Sequence, residues 1–227
     1  MLNSYSWCPR QWFYHYILKP SGIKVDDSAL LRGIEIHEMV ENYFNKIKVH
    51  AQLSKDVIEE VATDVFLNSG SEHDKIWDNF IRFEKTRFGT WSAYFPEFTE
   101  KEFVSTNRDF KGRIDFYGDG TVIDWKTGAP LQSATQEIMV QGNIYKHLLE
   151  ENNHKVKKVL FVYLQNGYVL ELPSTAHDWV VEKRRHFVES VNMKMFDPNR
   201  EPAKCKYCPY QLRCWYDGVY TLWSDAY

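Results

Sequence analysis

The stretch FKGRIDFYGDGTVIDWKTG, residues 110–128, decides the fold of this chain. The spacing of apolar residues becomes shorter here than in a helix, which predicts two short strands over 110–117 and 121–126. Between them, Gly118-Asp119-Gly120 is typical of a tight hairpin turn. Together with a strand predicted over 101–106, these segments form a three-strand meander.

Helices are predicted on both sides of the meander. In the front section apolar residues recur at the helical period, and Pro96 is expected to stop the third helix. Ser133-x-x-Gln136 and Thr175-x-x-Asp178 are typical of capped helix starts further on. We therefore predict an α/β core with a helical front section. The predicted helices cover residues 29–48, 55–68, 74–95, 133–150 and 175–196, and two more strands cover 157–165 and 168–172.

Three charged residues of the hairpin, Asp115, Asp124 and Lys126, are candidates for chemistry. Because side chains alternate along a strand, Asp124 and Lys126 share a face, and an antiparallel neighbour can bring Asp115 beside Asp124. Two carboxylates held together repel each other unless they share a proton or a cation, and Mg²⁺ or Mn²⁺ suits such oxygen ligands. Lys126 can then orient a water and stabilise negative charge on a phosphoryl group. An ordinary solvated hairpin face is the alternative interpretation.

The four cysteines form a second candidate site. Cys8 lies near the start of the chain, and the other three form Cys205-x2-Cys208-x5-Cys214. A reducing compartment disfavours disulfides, and the unequal spacing, with proline after two of the cysteines, favours iron–sulfur ligation over a zinc ribbon. Such a site would join the two ends of the chain. Zinc, or buried thiols without a metal, are the alternatives.

The overall composition excludes several classes of protein. The chain of 227 residues is 44% apolar and carries 14 Phe, 14 Tyr and 8 Trp, which excludes disorder. No apolar stretch approaches the roughly 18 to 20 residues of a membrane span, and residues 1–20 lack a secretory signal, so we expect a cytoplasmic protein. The net charge of −3 gives no overall attraction to nucleic acid. A polyanion would have to bind in a local groove.

Five motifs in order resemble one family of enzymes. Gly112-x-x-Asp115 followed by Asp124-x-Lys126-Thr-Gly resembles the core of the PD-(D/E)XK nucleases in their RecB-like branch. Gly33-x-x-x-His37 and Gln141-x-x-x-Tyr145 are similar to the helix-borne motifs of that branch. The four cysteines are similar to those of its iron–sulfur subset, which includes AddB-type recombination nucleases and the small nucleases of CRISPR adaptation.

This resemblance implies a role for each residue of the hairpin site. His37, Asp115 and Asp124 would be metal ligands, together with the main-chain carbonyl of Trp125. Lys126 would be the catalytic lysine. Asp at position 124 replaces the Glu of many members, which the family pattern allows.

Other residues would assist the reaction. By the resemblance, Gln141 and Tyr145 lie beside the active site and contact the DNA strand, since residues four apart share a helix face. Glu102, one strand before Asp115, could assist the metal, and Arg113 could contact phosphate. Ordinary exposed strand positions are the alternative for Glu102 and Arg113. The cysteines Cys8, Cys205, Cys208 and Cys214 would hold a structural [4Fe–4S] cluster.

The expected protein is a Mg²⁺- or Mn²⁺-dependent DNA nuclease, acting as an exonuclease on single-stranded or end-containing DNA. A GxxxxGK[ST] helicase motif does not occur in the sequence, so unwinding would need a helicase, and an integrase-type protein is another expected partner. The alternatives are a non-catalytic DNA-end-binding module and an electron-transfer protein.

We predict a single nuclease domain over residues 1–227. Within it, 29–98 form the helical section, 99–196 the restriction-endonuclease-like catalytic core with a mixed sheet flanked by helices, and 1–18 with 200–217 the iron–sulfur segment.

Overall fold

The computed structural model describes residues 2–23, 26–108, 110–129, 135–173 and 178–224. The chain forms two compact units, which we call the sheet unit and the terminal unit. The sheet unit comprises Asp27–Thr135 and Gly142–Ser174, and the terminal unit comprises Met1–Asp26, Gln136–Gln141 and Thr175–Tyr227. Both segments predicted to carry cysteine ligands therefore fall in the terminal unit.

Up to residue 193 the described elements follow the predicted order of helices, meander, helix, two strands and helix, and two further helices that were not predicted lie in the cysteine-bearing C-terminal segment. The strands are β1 (Phe98–Val104), β2 (Lys111–Gly118), β3 (Thr121–Lys126), β4 (Lys158–Tyr163) and β5 (Tyr168–Glu171). The helices are α1 (Leu2–Trp7), α2 (Pro9–Phe13, continued by a π-helical turn over Tyr14–Leu18), α3 (Ser28–Ile47), α4 (Lys55–Ser69), α5 (Asp74–Thr90), α6 (Gln136–Glu151), α7 (Asp178–Met193), α8 (Pro202–Cys205) and α9 (Gln211–Ser224). Among the described residues, none of these helices has both the length and the apolar character needed to cross a membrane.

The five strands form one mixed sheet in the order β1-β2-β3-β4-β5. Every neighbouring pair is antiparallel except β3 and β4, which run parallel and are joined by a crossover that contains α6. The predicted α/β class, with a central mixed sheet flanked by helices, is confirmed.

Helices α3, α4 and α5 pack on one face of this sheet and bury Phe116 and Trp125. Trp125 of β3 is almost fully buried, and the rings of Phe80 and Phe83 from α5 lie edge-on to it with centroids 5.4 Å away. Ile123 belongs to the same core cluster. Because strand side chains alternate, this burial directs Asp124 and Lys126 to the opposite face.

Helix α6 packs on that opposite face, and glycines allow its close approach. A Cβ added at Gly142 of α6 would lie 2.7 Å from Leu172 Cδ2 and 3.3 Å from Phe161 Cε2. A Cβ added at Gly112 of β2 would lie 3.0 Å from Leu148 Cδ1. These contacts leave no room for larger side chains, so they fix the distance between α6 and the strands.

The predicted end of the third front helix is wrong: α5 ends at Thr90, well before Pro96. Trp91 is already extended, and Arg87 Nη1 donates a 2.5 Å hydrogen bond to the carbonyl of Tyr94, which turns the chain back over the helix. Tertiary contacts therefore stop this helix before proline can. The predicted caps at Ser133 and Thr175 lie outside the described residues.

The contacts of Arg87 lead to a stability prediction. Arg87 and Glu84 form a two-point ion pair with N–O distances of 2.9 and 2.7 Å, and both side chains are 0% exposed. Tyr94 OH donates a further 2.8 Å hydrogen bond to Glu84. We expect Glu84→Gln to lower the free energy of unfolding by about 3–5 kcal/mol, because it leaves a buried cation uncompensated. Urea denaturation followed by circular dichroism measures this.

The matched control is an ion pair on the surface. Lys85 Nζ lies 2.5 Å from Glu59 Oε2, and the side chain of Glu59 is 54% exposed. We expect Glu59→Gln to change the free energy of unfolding by less than about 1 kcal/mol, since solvent screens such pairs. Equal losses in the two variants would contradict a special role for the buried pair.

Candidate active site

The C-terminal end of β3 carries the first two site residues. Asp124 is 3% exposed and Lys126 is 25% exposed, with Lys126 Nζ 2.7 Å from Asp124 Oδ2. Tyr145 OH on α6 donates a 2.8 Å hydrogen bond to the other oxygen, Asp124 Oδ1. The carboxylate of Asp124 is thus held from both sides, with the ammonium group of Lys126 at the solvent side of the pair.

Asp115 on β2 lies beside this pair, as the alternation of side chains predicts. Its Oδ2 accepts a 3.0 Å hydrogen bond from the main-chain N–H of Trp125. Burial raises the pKa of Asp115 well above its usual range, and the charges of Asp124 and Glu100 raise this pKa further, against the opposing effects of His37 and the Trp125 N–H. A cation bound beside this buried carboxyl group and its acidic neighbours would stabilise their ionised forms.

His37 of α3 completes the site from the helical side. Its Nε2 lies 3.1 Å from the carbonyl oxygen of Trp125, and its Nδ1 lies 2.9 Å from Glu100 Oε1 and 3.6 Å from Asp115 Oδ2. Burial alone would lower the pKa of His37, but the hydrogen bond to Glu100 and the charges of Asp115, Glu100 and Asp124 raise this pKa to about 9. The ring therefore lies in a strongly negative pocket.

Glu100 is a site residue that sequence reasoning missed. Its side chain is only 4% exposed, and its backbone has a left-handed φ of 46°, which is uncommon for a residue other than glycine. His37, Glu100 and Asp115 each offer a ligand atom, and these three atoms lie within 4.8 Å of one another. This concentration of imidazole and carboxylate groups marks a place where a divalent cation such as Mg²⁺ or Mn²⁺ would be stabilised.

The remaining predicted residues have different surroundings. Glu102 is exposed and lies 2.8 Å from Lys111, and its partner across the strands is Arg113. Arg113 Nε lies 2.7 Å from Glu100 Oε2, so this guanidinium contacts an acidic site residue.

The two predicted residues of α6 also have different surroundings. Tyr145 is buried against Asp124, and Gln141 lies half-buried one turn earlier on α6.

The four cysteines are unbridged and come together in the terminal unit. Cys8, Cys205, Cys208 and Cys214 all line one cavity of about 510 Å³, which Trp7 and Trp215 also border. Burial raises the pKa of the Cys208 and Cys214 thiols, and the neighbouring cysteines raise both further, against Arg10 at Cys214. A metal or cluster ligated by sulfur would stabilise the thiolate form of Cys208 and Cys214.

Asn199 connects two of these cysteines through its main chain. Its N–H donates to Cys8 Sγ at 3.4 Å, and Cys205 Sγ donates to its carbonyl at 3.7 Å. The side-chain amide of Asn199 also donates a 3.1 Å hydrogen bond to the carbonyl of Trp7. These bonds hold the N-terminal cysteine against the C-terminal segment.

A protein-family model matches almost the whole chain. Residues 1–215 match the sequence model of the PD-(D/E)XK nuclease superfamily. No curated protein matches the sequence. Among solved structures, the crystal structure of SSO0001 is similar at 16% sequence identity and a TM-score of 0.38, over 79% of this chain and 95% of the other. That structural likeness is too low to add to what the site itself shows.

Proposed function

The chain belongs to the PD-(D/E)XK nuclease superfamily, and from that membership we propose that it is a Mg²⁺- or Mn²⁺-dependent DNA nuclease that hydrolyses phosphodiester bonds. The observation that supports this best is the convergence of His37, Asp115, Asp124 and Lys126 at the C-terminal end of the central strand, β3. These residues contact one another directly or share a contact with Trp125 or Glu100, at N–O distances of 2.7 to 3.6 Å. These four residues come from three separate elements. An ordinary solvated hairpin face would not bring them together in one buried acidic pocket.

The proposed ligands are His37, Asp115, Asp124 and the Trp125 carbonyl. The 3.1 Å between His37 Nε2 and the Trp125 oxygen is close to the separation of about 3.0 Å expected for adjacent ligands of an octahedral ion bound at about 2.1 Å. A bound divalent ion supplies a Lewis acid that lowers the pKa of a water molecule and neutralises charge on the phosphate. The chain contributes the orientation of each ligand, since Tyr145 holds Asp124 and the Trp125 N–H holds Asp115.

Lys126 is the proposed catalytic lysine. Asp124 holds its ammonium group at 2.7 Å, and the ring of Phe161 lies 5.4 Å from it on the apolar side. From that position Nζ can orient the attacking water and stabilise the negative charge that develops on the phosphoryl group. Preorganisation by Asp124 means that the ammonium needs little rearrangement when substrate binds.

Exonuclease action on single-stranded or end-containing DNA is the substrate proposal. It is supported by the resemblance to the small iron–sulfur nucleases. Because the net charge of −3 gives no overall attraction to nucleic acid, the strand would bind in a local groove. Gln141 and Tyr145 are proposed to lie beside that strand, Tyr145 acting on it through Asp124. A helicase or an integrase-type protein is the proposed partner, on the same resemblance.

A structural [4Fe–4S] cluster bound by the four cysteines is proposed for the terminal unit. All four cysteines line one cavity of the terminal unit, and their unequal spacing in the sequence favours iron–sulfur ligation over a zinc ribbon. We expect anaerobically purified protein to be brown and to contain iron and sulfide; a colourless protein with one equivalent of zinc would contradict this.

The experiment that tests the function is cleavage of labelled DNA by the anaerobically purified protein. Linear and circular single strands, and an RNA of the same sequence, are incubated with Mg²⁺, Mn²⁺ or EDTA. We expect metal-dependent shortening of the linear DNA strand, with the circle resistant. Binding of DNA ends without cleavage in either metal would favour the non-catalytic end-binding module instead.

A further inference from the structure

Glu100 connects two residues that the proposed function uses separately. One carboxylate oxygen lies 2.9 Å from His37 Nδ1, and the other lies 2.7 Å from Arg113 Nε. Arg113 Nε also donates to the main-chain carbonyl of Glu100 at 3.1 Å, and its Nη2 lies 3.6 Å from Glu41. The side chain of Glu100 is therefore clamped between an exposed guanidinium and a half-buried imidazole.

The backbone of Glu100 is bent to make this contact. Its φ of 46° lies in the left-handed region, although residues on both sides pair regularly with β2, as Thr99 with Phe116 and Lys101 with Ile114. Strained backbone persists where the surrounding structure enforces it, and it is found most often at functional sites. At Glu100 this strained conformation places the side-chain carboxylate 2.9 Å from His37 Nδ1.

The two nitrogens of His37 have different partners. Nδ1 faces Glu100, while Nε2 faces the Trp125 carbonyl at 3.1 Å, with which it would share an ion. Both carboxylate oxygens of Glu100 are already engaged, Oε1 with His37 Nδ1 and Oε2 with Arg113 Nε, so this carboxylate is placed to support the ring rather than to ligate the ion. A metal-bound histidine commonly donates its second N–H to a carboxylate, which fixes the tautomer and orients the ring.

We propose that Glu100 is a positioning residue for the divalent metal: it accepts the Nδ1–H of His37, presents Nε2 to the ion, and is itself held by Arg113. This inference rests on the proposed metal-dependent nuclease function. It assigns Arg113 to the support of the metal site rather than to a phosphate of the substrate.

The test is the affinity of the cluster-loaded protein for Mn²⁺, measured by calorimetry without DNA. We expect Glu100→Gln to weaken Mn²⁺ binding by about 10- to 100-fold, the usual effect of removing an outer-shell partner. Glu100→Gly should show the same loss and remain folded, because glycine adopts a positive φ without strain. Glu97→Gln is the matched control, since Glu97 lies 3.8 Å from His154 outside the site; it should bind Mn²⁺ like the parent.

Two further readouts distinguish positioning from ligation. Pulsed electron paramagnetic resonance of bound Mn²⁺ should show coupling to a histidine nitrogen in the parent, and this coupling should weaken in Glu100→Gly. In a His37→Ala background, Glu100→Gln should weaken binding by less than about threefold, because its effect passes through His37. An undiminished loss in that background would make Glu100 a ligand and overturn the inference.

The remaining outcomes are also decisive. Affinity of Glu100→Gln within about threefold of the parent overturns the positioning role alone. An equal loss in Glu97→Gln overturns it too, since the effect would then be one of net charge. A parent that binds no Mn²⁺ overturns the proposed function, and this inference with it.

Discussion

We expect the Asp124→Asn protein to show no cleavage of single-stranded DNA above the buffer background and to bind Mn²⁺ much more weakly than the parent. Asparagine keeps the shape of the side chain and can still accept the hydrogen bond from Tyr145, which is 2.8 Å long in the parent. It removes the negative charge that pairs with Lys126 at 2.7 Å and that would face the ion. Cleavage rate and calorimetric affinity measure the two losses.

The same variant should fold at least as well as the parent when no metal is present. The charge of Asp124 raises the pKa of buried Asp115, so the two carboxyl groups repel each other in the ion-free protein. Removing one of them relieves this repulsion, and Lys126, whose side chain is 25% exposed, can be hydrated when it loses the negative charge of Asp124, so the thermal midpoint in EDTA should not fall. Retained cleavage, or a loss of activity explained by unfolding, would contradict the assignment of Asp124 as a ligand.

The second large effect is expected from Cys208→Ser. This variant should lose the brown colour and most of its iron, and its terminal unit should lose its fold. A cluster that joins Cys8 to the C-terminal cysteines contributes its binding free energy to folding, because the unfolded chain has no preformed site. Visible absorption, iron content and limited proteolysis of the C-terminal segment measure the three consequences.

Tyr207→Ser is the control for that substitution. Tyr207 directly precedes Cys208 and is highly exposed, so its replacement should change neither colour nor protease resistance. Asp124→Asn should also keep the colour, since Asp124 belongs to the sheet unit. A Cys208→Ser protein that retains the full iron content of the parent would contradict the proposed ligand set.

Periodicity and turn chemistry were sufficient to predict the sheet and most of the helices. The glycines of the β2–β3 turn and the alternation of Asp124 with Trp125 gave the correct strand pairing and the correct face. The end of α5 was wrong by five residues, since it depends on Arg87 reaching the Tyr94 carbonyl, a contact between parts of the chain that periodicity does not describe.

Glu100 illustrates what the sequence could not show. The first strand was predicted to begin at residue 101, but β1 begins at Phe98, so Glu100 fell outside the predicted sheet. Glu100 and Glu102 are two residues apart on one strand, so their side chains lie on the same face of the sheet. Only the register of β1 on β2 shows which of the two lies beside Asp115. That register pairs Glu102 with Arg113 and leaves Glu100 at the level of Asp115. The one available signal was a second acidic residue two positions earlier.

The most direct test of the central claim is the rate at which Lys126→Ala cleaves labelled single-stranded DNA at saturating Mn²⁺, with its Mn²⁺ affinity measured on the same preparation. Lys126 acts on the water and on the phosphoryl charge, so metal affinity should stay within about threefold of the parent while the rate falls by about 10²- to 10³-fold. A variant that binds Mn²⁺ normally and cleaves within about threefold of the parent rate would contradict the assignment of this site as a nuclease active site.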